Sequence, residues 1–265
     1  MSKKTLEELV FHDDFMFAAV MMDAENCRCF LERVLEIRIE RVEISTEHGF
    51  FFNPECKSIR MDVFAKDENR THYDIEMQLV KKDSLEKRSR YYHSQMDVEM
   101  LEKGKSYGEL ADTYVIFICD FDPFGNRLYR YTIENRIQET GKALNDGSQT
   151  IILSTKGKNQ SEVPVELVRF LQYVAQETDE AETEDDYVKM LQERIKSIKK
   201  NRDWEGKYML LEEMMRDERE EGRKEGQERI NQLNILLLEQ NRNEDIIKAI
   251  TDRDYQEQLF KEFNL

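Results

Sequence analysis

Two short extended segments set the strongest constraint on this chain: Ile59-Arg60-Met61-Asp62-Val63-Phe64-Ala65-Lys66 and Thr71-His72-Tyr73-Asp74-Ile75-Glu76-Met77-Gln78-Leu79-Val80. Asp67-Glu68-Asn69-Arg70 between them is polar and carries a residue that tolerates positive φ, so the three pieces read as a hairpin. Strand side chains alternate between faces, which puts Asp62 and Phe64 on one side and Met61, Val63 and Ala65 on the other. On the second strand Asp74, Glu76 and Gln78 share a face, opposite Tyr73, Ile75, Met77 and Leu79. A turn centred on Asn69 sets Asp62 opposite Glu76. Facing carboxylates destabilise a ladder, and a divalent cation between them removes the penalty. The spacing therefore predicts a hard oxygen-ligand site for Mg2+ or Mn2+. A hairpin with its polar face in water is the competing reading.

Charge complicates any reading that involves nucleic acid. The chain of 265 residues has a net charge of -16, whereas phosphate binding is driven by Lys and Arg. Contact is local, however. Much of the acid lies between Glu177 and Glu228, while Lys81, Lys82, Lys87, Arg88 and Arg90 follow directly on the Glu76 strand. Arg88 falls one helical turn from Tyr91 and Tyr92, combining charge with aromatic faces as DNA-binding helices do. Packing of the tyrosines on a sheet explains the same pattern. Four cysteines without paired spacing (Cys27, Cys29, Cys56, Cys119) argue for free thiols in a reducing cytoplasm. No apolar run approaches the ~20 residues needed to cross a bilayer, and the N-terminus has no apolar signal region. A soluble, cytoplasmic protein without a membrane role is expected. Dispersed Gly141, Gly147 and Gly157 make no phosphate loop, so no nucleotide cofactor is expected either.

The periodicity orders the rest of the chain. Helical patterns fill the first forty residues, and residues 39–44 read as a strand. Ser84 is placed to cap a helix running to about Lys103, with Gly104 as its stop. Residues 113–120 are a continuous apolar run, hence a buried strand. The turn Asp122-Pro123-Phe124-Gly125-Asn126 leads to a strand at 128–133, and 150–154 is one more. After Pro164 only helices are expected. The order predicts an α/β fold, a mixed central β-sheet flanked by helices, with an all-helical C-terminal extension. Its parts are a core at 1–162, helices packed on it at 163–203, and a charged helical linker and small tail at 204–265. The tail holds too little apolar material for a sturdy core of its own. Gly222 and Gly226, one turn apart, suit close approach of a second helix. The tail is thus expected to make a homo-oligomer through its C-terminal helices.

An acid on one strand and Glu-x-(Lys) on the next resembles the PD-(D/E)xK nuclease superfamily, and several blocks are similar to the Rpn family of recombination-promoting nucleases, grouped with transposases. The matching stretches are Arg60-Met61-Asp62-Val63, Ile75-Glu76-Met77-Gln78, Lys87-Arg88-Ser89-Arg90-Tyr91-Tyr92, Leu101-Glu102-Lys103-Gly104, Tyr114-Val115-Ile116-Phe117-Ile118-Cys119 and Phe121-Asp122-Pro123-Phe124. The resemblance implies a restriction-endonuclease-like fold and metal-dependent hydrolysis of DNA, with Asp62, Glu76 and Gln78 as the catalytic set. Asp62 and Glu76 would be metal ligands, and Asp14, in Asp14-Phe15-Met16-Phe17, would complete the site from the first helix. This chain departs from the superfamily pattern at two places, Met61 for Pro and Gln78 for Lys. Gln78 can hydrogen-bond but carries no charge. Lys66, four residues after Asp62 on the same face, is the expected substitute cation, and Gln78→Lys is expected to preserve or raise activity. Lys66, Lys81, Lys82, Arg88 and Arg90 are the expected DNA contacts, and His93 is a candidate general acid. The alternative is a nuclease-fold binding protein with little catalysis, assembling through its tail.

Overall fold

A computed structural model of the chain describes residues 4–45, 63–81 and 84–265. Asp62 and Lys82 lie outside the described residues, as do Cys56 and Met61. The chain divides into two compact units, residues 1–205 and 206–265. Residues 163–203, expected as helices packed on the core, lie in the first unit.

The first unit is built on six strands: β1 (Val42–Ile44), β2 (Val63–Asp67), β3 (His72–Gln78), β4 (Thr113–Cys119), β5 (Arg130–Glu134) and β6 (Ser148–Ser154). Their order across the sheet is β1-β2-β3-β4-β6-β5. The pairs β3–β4 and β4–β6 are parallel, and the remaining neighbours are antiparallel. Parallel neighbours need crossovers, and the segment after β3 supplies one as α3 (Leu85–Met100). The central strand β4 has Val115 through Cys119 wholly buried, as a strand covered on both faces requires.

Two helical layers enclose the sheet. Helix α3 covers the face of Val115, Phe117 and Cys119, where Leu85 and Met96 meet Tyr131 and Ile152. Helices α1 (Asp14–Met21), α2 (Ala24–Leu35), α4 (Val165–Val174) and α5 (Asp186–Lys199) pack on one another. Their aromatic contacts include Phe11–Phe17 at 5.7 Å, Phe30–Phe170 at 5.4 Å and Phe170–Tyr187 at 5.8 Å. Arg130 ties this layer to the sheet, donating to the Val34 carbonyl at 3.0 Å from the face opposite α3. A bidentate pair from Arg33 to Asp185, at 2.7 and 3.0 Å, joins α2 to the N-cap of α5.

Helix α6 (Arg202–Glu239) runs into the second unit, followed by α7 (Asn243–Thr251) and α8 (Arg253–Phe263). Contrary to expectation, this unit closes a small core of its own: Leu233, Leu237, Ala249, Leu259 and Phe260, with Ile246, Tyr255 and Phe263 around it. Polar contacts seal its rim. Arg242 bridges Asp245 and Glu262, both at 2.5 Å, and the Arg229 guanidinium lies 4.0 Å from the Phe260 ring centroid. Composition alone understated the tail because these cations cover apolar surface with their stems.

Candidate active site

The hairpin forms in the expected register. Val63 pairs with Ile75, Phe64 with Asp74, Ala65 with Tyr73 and Lys66 with His72. Positive φ at the turn falls on Arg70 (φ 68°) rather than Asn69. Asp67 explains the shift: its Oδ1 accepts from the backbone N–H groups of Asn69 and Thr71, both at 2.9 Å, and its Oδ2 from the Tyr73 hydroxyl at 2.8 Å. Three loop residues with the last in the left-handed region make a familiar hairpin connection. This hairpin is not a surface element, because β3 lies between β2 and β4. Asp74 is fully buried and Glu76 is 3% exposed.

At Glu76 three side chains close on one another. Arg88 Nη2 donates to Glu76 Oε2 at 2.5 Å, and Gln78 Nε2 donates to the same oxygen at 3.0 Å. Arg88 Nη1 donates to Gln78 Oε1 at 2.9 Å. The amide orientation follows: its carbonyl oxygen faces the guanidinium, its NH2 the carboxylate, and every contact pairs donor with acceptor. Arg88 also donates to the Tyr92 hydroxyl at 3.1 Å and lies 5.6 Å from the ring centroids of both Tyr92 and Phe117. Arg88 and Tyr92 are one helical turn apart, so α3 presents both to the same strand. Cys119, beside Gln78 in the β3–β4 pairing, lies beneath this group. Burial pushes its thiol up to about 12, Arg88 opposing and Glu76 adding, which makes it packing rather than a nucleophile.

Lys66 pairs with His72 at the turn end of the hairpin, four residues or about 13 Å along the strand from Glu76. Arg88, not Lys66, is the cation bonded to Glu76. Lys81 is exposed and donates to the Pro123 carbonyl at 3.1 Å. Arg90 is exposed on the outer side of α3, and Tyr91 is 62% exposed. Asp14 opens α1, exposed, in the layer where α1 packs on α2 and α5. His93 accepts or donates at the Thr113 hydroxyl (2.8 Å) and the Thr150 hydroxyl (3.1 Å), and Ser89 meets Thr150 at 2.5 Å. His93 is a pin between α3 and the sheet, not a general acid beside Glu76. The role of Arg88 was the signal missed: the turn-apart spacing to Tyr92 was visible, but the strand beneath it was not.

The donor chemistry suits a hard divalent ion, since Glu76 and Gln78 both offer oxygen. Among the described residues no three His, Cys, Asp or Glu side chains form a metal-holding group.

A mixed six-stranded sheet with helices on both faces and an acidic β3 is a restriction-endonuclease-like fold. The chain belongs to the PD-(D/E)XK nuclease family transposases, whose family model matches residues 12–225. No curated protein and no solved structure matches the chain significantly. No helix among the described residues is long and apolar enough to cross a membrane.

Proposed function

We propose that this protein is a DNA endonuclease that hydrolyses phosphodiester bonds with the help of Mg2+ or Mn2+, acting in DNA recombination or mobile-element biology. One observation carries the reading. A buried carboxylate, Glu76, stands on the central β3 in a hydrogen-bonded charge cluster, and a carboxylate kept from water needs a strong reason to be there. Asp62 is the second ligand we assign. It directly precedes Val63, and Val63 pairs with Ile75, the residue before Glu76. A bound ion would polarise the phosphate and lower the pKa of its water. Glu76 and Asp62 would hold it, and Gln78 would orient the water by hydrogen bonding. The basic residues Lys81, Lys82 and Arg90, which follow Gln78 closely in the sequence, are proposed to carry the DNA backbone.

The second unit is proposed to bring two copies together. Its own core leaves Ile235, Leu238, Ile247 and Ile250 more than half exposed, at 55, 56, 68 and 75%. These side chains, rather than the glycines, are the assigned contact.

Nicking of supercoiled plasmid with Mg2+, Mn2+ or EDTA is the test, run on the wild type, Asp62→Ala and Glu76→Gln. Metal-dependent cleavage lost in both variants supports the reading. Cleavage that survives in Glu76→Gln, or in EDTA, overturns it. A binding protein with little catalysis is the second reading, favoured by the uncharged Gln78 and by Arg88 already bonded to Glu76 Oε2.

A further inference from the structure

The geometry points to Arg88 as the counter-ion of Glu76, delivering from helix α3 the positive charge that a Lys at position 78 would deliver from β3, and releasing Glu76 when that carboxylate takes up a divalent ion. The inference rests on the nuclease reading above and adds to it a positioning residue and an exchange.

Charge and space both lead to it. The Glu76 side chain is 2% exposed and that of Arg88 27%. A carboxylate so buried is tolerated only when paired, and Arg88 supplies the pair. Gln78 stands between them, in contact with both. A Lys in its place would remove the acceptor for Arg88 Nη1 and set a second cation beside the first. A charged residue at 78 and Arg88 on α3 therefore exclude each other, which accounts for the amide on the strand. Arg88 can let go of Glu76 without losing its place. Gln78 Oε1, the Tyr92 hydroxyl and the Tyr92 and Phe117 rings still hold it. Cation–π and charge-assisted contacts of this kind suit a planar guanidinium far better than an ammonium. Removed from Glu76, the guanidinium keeps its charge at the site, facing the phosphate.

The experiment compares full-length wild type, Arg88→Gln, Gln78→Lys and the double variant Arg88→Gln/Gln78→Lys. Mn2+ affinity is measured by titration calorimetry, the Mn2+-induced shift in Tm by thermal melting, and cleavage on plasmid. Arg88→Gln should cut about a hundredfold more slowly, as loss of one fixed transition-state donor does. It should nevertheless bind Mn2+ about tenfold more tightly, because a competing cation a few ångströms away has gone, and Mn2+ should raise its Tm more than that of the wild type. Gln78→Lys alone, for which the superfamily pattern predicts preserved or raised activity, should instead lose it, because its ammonium meets Arg88 where Gln78 Oε1 accepted. The double variant should recover activity above both single variants, since the charge is back on the strand. Weaker or unchanged Mn2+ binding in Arg88→Gln overturns the counter-ion assignment, and a double variant no better than Gln78→Lys overturns the charge transfer. Should Arg88→Gln fail to fold, the double variant against Gln78→Lys decides. A wild type that never cleaves sinks the nuclease reading, and Mn2+ affinity alone then judges Arg88. Absence of Mn2+ binding in all four proteins overturns both.

Discussion

Helix α3 makes two polar contacts with the same face of the sheet, five residues or about 7.5 Å apart along its axis. Near its start Arg88 meets Glu76 and Gln78; further on His93 meets Thr113 and Thr150, with Ser89 beside them. The second contact is neutral and holds helix to sheet through hydroxyls and an imidazole. The first buries a charge pair, which costs more to desolvate and is often no more stable than an apolar replacement. Structure alone does not call for the Arg88 contact. Of the two similar-looking polar clusters, the proposed site is the one whose charge the fold could do without.

The largest effect should come from removing the charge at its centre. Glu76→Gln keeps the shape and hydrogen bonds of residue 76 and should reduce cleavage by about a thousandfold or more, as expected for a group that holds the reacting ion. His93→Gln, on the same helix, should leave the rate within a few fold. Initial rates of plasmid nicking decide this, and a His93 variant as dead as the Glu76 variant would break the distinction.

Next in size is stability. Arg88→Met leaves Glu76 buried without this partner, and breaking such a pair from one side costs about 3–5 kcal/mol, with the lower end expected because Arg88 is partly exposed. Glu76→Gln added to Arg88→Met should return most of that loss. Urea midpoints of the four proteins form the cycle, and a loss unchanged by the second substitution would show that Arg88 acts through packing alone.

His93→Ala should cost less, about 1–3 kcal/mol, since it strips one partner from the buried Thr113 and Thr150 hydroxyls. Its pH signature is distinct. Burial holds the His93 imidazole below its usual range, with Asp146 opposing. The unfolded chain then binds more protons between the lowered folded value and about 6.5, so stability rises with pH across that window and falls on acidification. His72 is lowered too, first by burial and then by Lys66, and contributes with the same sign. Wild-type urea midpoints should drop from pH 7.5 to pH 5, and His93→Gln should lose part of that drop. A wild-type midpoint that is flat or higher at pH 5 contradicts it.

How far the sequence disclosed this can be followed residue by residue. The apolar run at 113–120 reads as a buried strand, and a turn centred on Asn69 gives the register that pairs Val63 with Ile75. Such features are local, set by side-chain period and turn length. Arg88 was visible as a cation on a helix but assigned to DNA, because its partner lies ten and twelve residues away on a strand that only the β3–α3–β4 crossover brings beneath it. Ser84 shows the same limit: it takes a left-handed conformation (φ 67°) before α3, and its side chain makes no capping bond. Alternation puts Asp74 on the face of Glu76 but says nothing of its depth, and it is wholly buried. Packing across elements decided each of these.

The smallest effect tests the second unit. Gly222 and Gly226 sit within α6 with open space where a Cβ would be, so among the described residues nothing approaches them closely. Ala at each should stabilise the helix by roughly 1 kcal/mol, the ordinary difference between the two residues in a helix interior. If two copies meet through Ile235, Leu238, Ile247 and Ile250, the double Ala variant should associate as the wild type does, while Ile247→Glu with Ile250→Glu should make it a monomer. Light scattering at micromolar concentration reads both. Association lost in the Ala variant and kept in the Glu variant would return the contact to the glycines, where the sequence first placed it. Cleavage by isolated sites should persist in every one of these proteins, because none of the four substitutions touches Glu76, Gln78 or Arg88.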